Sequence, residues 1–110
     1  MTTSGNPLGV ALSGGAARGF AHLGVMQAFS EAGVRPDLLA GTSAGSIVAA
    51  FWAAGWTSAD LAVLTERLRW TDFVRPIIPR RGLFSLEPLS DFLGRHLGDK
   101  RTFADLDIPL

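Results

Sequence analysis

The chain has no cysteine, which excludes a disulfide framework and any thiolate metal site. It has no excess of either charge: 10 basic and 10 acidic residues give a net charge of zero. Nothing global therefore points to nucleic acid. It has no apolar run long enough to span a bilayer. The longest, Ile47 to Trp56, falls well short of the ~20 residues required. Met1 to Pro7 carries no positive side chain and no apolar core, so no secretory signal is read there. Lysine is nearly absent, and nine of the ten basic residues are arginine. No internal repeat or low-complexity tail is present. What remains is the composition of one globular domain, 47% hydrophobic and 18% charged over 110 residues, with the cytoplasm as the expected location.

The most informative stretch is Asp37-Leu38-Leu39-Ala40-Gly41-Thr42-Ser43-Ala44-Gly45-Ser46-Ile47. A short apolar run enters a Gly-Thr-Ser-Ala-Gly turn, and an Ala-rich helical run leaves it. Strand, sharp turn and helix place Ser43 at an apex. Small residues are needed two before and two after it, where a Cβ would clash, and Gly41 and Gly45 meet that need. This is the pattern of a nucleophile elbow, with the hydroxyl held exposed at a helix N-terminus. That terminus carries roughly +0.5 charge, which favours a developing oxyanion. The plainer alternative makes Ser43 a helix N-cap and the two glycines turn punctuation.

Upstream, Leu8 to Leu12 is a continuous apolar run, the pattern of a strand buried on both faces. It ends in Ser13-Gly14-Gly15-Ala16-Ala17-Arg18-Gly19. A helix is expected from there to about Ala32, with Ala21, Val25, Ala28, Phe29 and Ala32 as its inward stripe. Gly33 suits its C-terminus, and Pro36 blocks continuation. Strand, glycine loop, helix and strand make a βαβ unit with a right-handed crossover and a parallel sheet. Both glycine turns then fall at the carboxyl ends of neighbouring strands, where open α/β sheets place their sites. The loop amides at a helix start suit either a phosphate or the oxyanion of an ester. The dinucleotide fingerprint fails, because Ala16 takes the place of its second glycine, and no Walker lysine follows.

The run Ser13-Gly14-Gly15-Ala16-Ala17-Arg18-Gly19-Phe20-Ala21-His22-Leu23-Gly24-Val25, followed by Gly41-Thr42-Ser43-Ala44-Gly45, resembles the N-terminal half of bacterial patatin-like phospholipases. The likeness is strong over residues 8 to 56. It continues through Gly82-Leu83-Phe84-Ser85 and Phe103 to Leu110. It implies a three-layer α/β/α fold with a parallel central sheet, present here as its N-terminal part. It also implies a lipid acyl hydrolase working by a Ser-Asp dyad, without cofactor or metal. By resemblance Ser43 is the nucleophile, and the Gly14 and Gly15 amides form the oxyanion hole. Gly41, Thr42, Ala44, Gly45, Ala16, Ala17, Arg18 and Gly19 support the elbow and the loop. Arg18 serves either to anchor a lipid phosphate or to brace the loop. Ser13 stands where relatives often have a third glycine.

The family's catalytic Asp lies in an Asp-Gly-Gly or Asp-Gly-Ala motif downstream of the elbow. No Asp-Gly pair occurs here: Asp37, Asp60, Asp72, Asp91, Asp99, Asp105 and Asp107 are all followed by other residues. Residues 8–110 are therefore expected to be the N-terminal portion of a longer enzyme, preceded by a flexible stretch at 1–7. The chain alone is expected to be inactive. The alternatives are a truncated, non-catalytic remnant or a phosphate-binding α/β module.

Further helices are expected from the elbow to about Ala54, from Ser58 with Leu61, Leu64 and Leu68 inward, and from a cap at Ser85 with Leu86, Leu89, Phe92, Leu93 and Leu97 inward. Between them, residues 70–84 read as irregular. Arg75, Arg80 and Arg81 with Trp70, Ile77 and Ile78 suit either an anionic membrane surface or a plain solvated loop. The implied substrate, a phospholipid or other fatty acyl ester, carries with it the expectation of peripheral contact with the inner face of a membrane. A short turn is expected at Phe103 to Leu106. His22 is read as a helix-packing histidine bonded to backbone. Asp91 and His96 follow Ser43 in triad order, but they lie five apart on one helix and project roughly 140° apart. A sheet of two strands and the start of a third has open edges, so poor solubility or edge dimerisation is expected of the chain alone.

Overall fold

A parallel two-stranded sheet holds the N-terminal half together. The computed structural model describes residues 5–15, 19–68, 75–76, 84–85 and 87–110. Strand β1 (Gly9–Leu12) and strand β2 (Leu38–Gly41) pair in parallel, with Gly9 opposite Leu38 and Leu12 opposite Gly41. Helix α1 (Ala21–Glu31) connects them. At the entry to both strands, Leu8 N–H donates to Asp37 Oδ2 at 2.7 Å, and Asp37 N–H donates to the Leu8 carbonyl at 2.8 Å. The register therefore begins on a reciprocal pair. Leu39 N–H donates to the Pro109 carbonyl at 2.9 Å. Neighbouring N–H groups of a strand point to opposite edges, so the chain end lies on the side of β2 away from β1.

Helix α2 (Ala44–Ala53) is the centre of the packing. Its residues lie 100° apart, so Ala49 and Ala53 share one side while Phe51 points the other way. The alanine side meets the sheet: Ala49, Ala53, Leu12, Leu39 and Ile108 form one core cluster. Alanine's lack of bulk lets the helix lie close to the strands. The opposite side builds a second cluster from Phe51, Met26, Leu61 and Phe92. Phe51 is 1% exposed and meets Trp56 edge-on, with ring centres 4.8 Å apart.

Helix α3 (Ser58–Thr65) begins at Ser58 as the sequence indicates, but its cap is Thr57. Thr57 Oγ1 accepts from Asp60 N–H, and Asp60 Oδ2 accepts from Thr57 N–H, which satisfies two donors of the first turn. Leu61 is buried, with Leu64 and Leu68 packed beside it. Helix α4 (Glu87–Leu97) buries Phe92 and half-buries Leu89, Leu93 and Leu97, as expected. Ser85, expected as its cap, instead ends strand β4 (Phe84–Ser85), which pairs antiparallel with β3 (Arg75–Pro76) inside a stretch that reads as irregular. Two-residue strands are too short to show any period. A 3₁₀ turn at Phe103–Asp105 completes the described elements. Leu86, Trp70, Ile77, Ile78, Arg80 and Arg81 lie outside the described residues, as do residues 1–4.

The inward stripe of α1 differs from expectation. Ala21, Ala28 and Ala32 are exposed and Val25 is 42% exposed, whereas Met26 is buried and Leu23 packs beside it. Phe29 stays on the packed side, its ring 5.7 Å from that of Trp52. Both stripes have helical spacing, so periodicity alone does not choose between them. The larger side chains bury more apolar area against α2 and α3 and take the inner side. Among the described residues, no helix is long and apolar enough to cross a membrane.

Candidate active site

Ser43 stands between β2 and α2 at φ 52° and ψ −125°. It is the one described non-glycine residue with positive φ. L-residues are held there at a cost of about 1–3 kcal/mol, so the surrounding backbone must impose the conformation. The contacts show how. A Cβ on Gly45 would collide with the Leu12 carbonyl oxygen and stand 2.5 Å from that of Ser13. A Cβ on Gly41 would stand 2.5 Å from the Ser46 Cα and 2.6 Å from the Gly45 carbonyl oxygen. The turn therefore closes tightly on itself and against the end of β1. Thr42 N–H donates to the Leu12 carbonyl at 3.0 Å and fastens it there.

The backbone of Ser43 occupies the N-cap position of α2, but its side chain makes no capping hydrogen bond. The Ser43 carbonyl instead accepts from Ser46 N–H and from Ser46 Oγ. Ser43 is exposed. Capping therefore does not account for a serine here. Its hydroxyl stands at a helix start, where the macrodipole lowers the energy of negative charge.

The glycine loop leaves β1 beside this turn. A Cβ on Gly14 would stand 3.1 Å from the Ser43 Cβ, 3.3 Å from the Thr42 carbonyl oxygen and 3.9 Å from Ser43 Oγ. Gly15 has φ 150°, which L side chains rarely adopt. Gly19, at the far end of the loop, faces Ala44, and a Cβ there would stand 2.8 Å from the Ala44 Cβ. The structure thus brings Gly14, Gly19, Gly41, Thr42, Ser43, Ala44 and Gly45 together. Ala16, Ala17 and Arg18 lie outside the described residues.

Among the described residues, four of the carboxylates are engaged elsewhere. Asp37 pins the opposite end of the strands, Asp60 and Asp105 close capping boxes, and Asp107 bonds Lys100 Nζ at 3.0 Å. His96 Nδ1 donates to the Phe92 carbonyl at 2.9 Å, and its ring packs against Phe51, Phe92 and Trp56. Phe51 is eight residues along α2 from Ser43, about 12 Å of helix. This removes His96 from the elbow, and with it the Ser43-Asp91-His96 order. His22 bonds backbone as expected: its Nε2 lies 2.7 Å from the Ser13 carbonyl oxygen, at the base of the glycine loop. The identity of the acceptor depends on how the loop folds, so the sequence alone does not name it. Among the described residues, no group of His, Asp and Glu could hold a metal ion, and no hydrogen bond joins Ser43 Oγ to a carboxylate or imidazole.

The profile of the patatin-like phospholipase family matches residues 10–107. The chain belongs to that family. It is 42% identical over 67 residues to the patatin-like phospholipase domain-containing protein ZK370.4 of Caenorhabditis elegans, a match covering 61% of this chain and 5% of that relative. It is 36% identical over 66 residues to the neuropathy target esterase sws of Drosophila melanogaster, covering 60% of this chain and 4% of the relative. The chain thus spans about a twentieth of the length of these relatives.

Proposed function

We propose that this chain carries the elbow and glycine loop of a serine-dependent lipid acyl hydrolase. The observation that carries the reading is Ser43 itself. Its backbone is strained, its hydroxyl caps nothing, and Gly14 lies against it. In this reading Ser43 Oγ attacks the carbonyl carbon of a fatty acyl ester. A family-type Asp, which has no counterpart in an Asp-Gly pair of this chain, takes the hydroxyl proton. The tetrahedral oxyanion is held by the Gly14 and Gly15 amides and by the positive end of α2. One such donor contributes on the order of 10²–10³ in rate in a serine hydrolase. The alcohol leaves with a proton, and an acyl-serine remains. Water then adds to that ester, and the fatty acid is released. The substrate is a phospholipid or related ester met at a membrane surface, and no cofactor takes part.

The test is fatty acid release from phosphatidylcholine vesicles by the whole protein that carries this chain. Ser43→Ala should reduce release to background, and unchanged release would overturn the reading. A non-catalytic reading rests on one other observation, that Asp37, Asp60, Asp105 and Asp107 are all committed away from Ser43. Turnover by these 110 residues alone, abolished by Ser43→Ala, would overturn that second reading.

A further inference from the structure

His22 stands on the first turn of α1, and its Nε2 lies 2.7 Å from the Ser13 carbonyl oxygen. A carbonyl can only accept, so the ring must donate through Nε2–H. The same carbonyl oxygen faces Gly45, where a Cβ would stand 2.5 Å from it. The Ser13 carbonyl is therefore held between the imidazole and the start of α2. The Gly14 N–H belongs to the same planar peptide group as that carbonyl, so its direction follows. No described peptide bond is cis, and in a trans peptide the N–H points opposite to the preceding C=O. With the Ser13 carbonyl bonded to His22, the Gly14 N–H is turned away from the imidazole. Gly14 is also the loop residue that lies against Ser43.

We propose that His22 is a positioning residue for the hydrolytic site: by holding the Ser13 carbonyl, it aims the Gly14 N–H at the space above Ser43, where an ester oxygen would acquire charge. The inference rests on the Ser43 reading for its catalytic consequence but not for its geometry. Glycine makes the aiming necessary. Gly14 and Gly15 permit close approach to the serine, yet glycine loses more conformational freedom on ordering than any other residue. An aimed donor is effective because it needs no reorganisation as the charge forms. A side chain from the following helix, bonded across nine residues to the start of the loop, supplies the restraint that the glycines lack.

The test compares His22→Gln with His22→Asn. The Gln amide nitrogen reaches about as far as Nε2, whereas the Asn amide reaches only as far as Nδ1. The first readout is spectroscopic and needs no turnover. In the whole protein labelled with 13C and 15N, His22→Asn should move the Ser13 carbonyl and Gly14 amide resonances, and His22→Gln should return them toward wild type. Leu61 and Phe92 should stay unmoved in both. The second readout is kcat for fatty acid release by the whole protein. It should fall about tenfold or more in His22→Asn with KM unchanged, and stay within a few-fold in His22→Gln, against the 10²–10³ lost when a donor is removed outright. Equal resonance shifts in the two variants, no shift in either, or unfolding of both would overturn the proposal. So would a wild-type kcat in His22→Asn. If Ser43→Ala leaves release unchanged, the Ser43 reading fails by itself, and the resonances still decide what His22 holds.

Discussion

The Cα of Gly45 lies against the carbonyl oxygen of Leu12 with no room between them for a methyl group. Both partners are backbone, so neither can swing aside. Gly45→Ala must push the start of α2 away from the end of β1. Overpacking of this kind costs about 1–3 kcal/mol, and more where backbone has to move. The expected result is a urea midpoint well below wild type, with Gly94→Ala as a control because nothing lies within 4 Å of the position where its Cβ would stand.

Ser43 should show a reversal of the usual glycine effect. At φ 52° a side chain is strained, and no capping bond compensates. Ser43→Gly is therefore expected to stabilise the fold, by about 1 kcal/mol within the 1–3 kcal/mol typical of such strain. Ser43→Ala should leave stability close to wild type, whereas loss of a real N-cap costs ~0.5–2 kcal/mol. Equilibrium urea unfolding of the two variants distinguishes these outcomes. A loss near 1 kcal/mol in Ser43→Ala would restore a capping role.

Phe51 and Phe103 are the same residue type at opposite extremes of burial, 1% and 73% exposed. Phe51→Ala removes the ring shared by Trp56, Phe92 and His96, and should cost about 3–5 kcal/mol. Phe103→Ala should stay within ~0.5 kcal/mol of wild type. The measurement is the pair of denaturation midpoints.

Acid should weaken the fold at identifiable places. The Thr57 N–H lowers the pKa of Asp60 below its ordinary 3.8, with help from the Thr57 hydroxyl. The Thr102 N–H acts likewise on Asp105, with the Thr102 hydroxyl and Arg101 N–H adding to it. A depressed carboxyl contributes stability that is fully present above its unfolded value and is lost as pH falls through its folded value. The hydrogen bond to Asp107 raises the pKa of Lys100 above its ordinary 10.5, so its contribution is present below that value and lost as pH rises through the folded one. These groups should therefore lower the unfolding midpoint below pH 3.8 and above 10.5. Thr57→Ala should make the acid limb shallower.

Much of this fold is legible in the residues because the signals are local. The apolar run before Gly41, the glycines flanking Ser43 and the alanines after it each state their own geometry. Gly33, at φ 68° after α1, ends that helix where a glycine is expected to end it. The missed features are non-local or too short. The inner face of α1 depends on what α2 and α3 present to it, and Ala21, Val25, Ala28 and Ala32 have as good a helical period as Leu23, Met26 and Phe29. The bond from His22 to Ser13 has no sequence signal either, since histidine at that helix position serves as well for packing.

By itself, the sequence determined the order of strand, glycine loop, helix, strand and tight serine turn. These are properties of neighbouring residues: small groups where the backbone must turn, apolar groups where it must be buried. Tertiary structure alone decided which α1 face is covered, that the elbow and glycine loop meet at Gly14 and Ser43, and that His22 takes the Ser13 carbonyl. Those outcomes depend on parallel pairing of β1 with β2, which joins segments about 30 residues apart and brings the two turns to one edge.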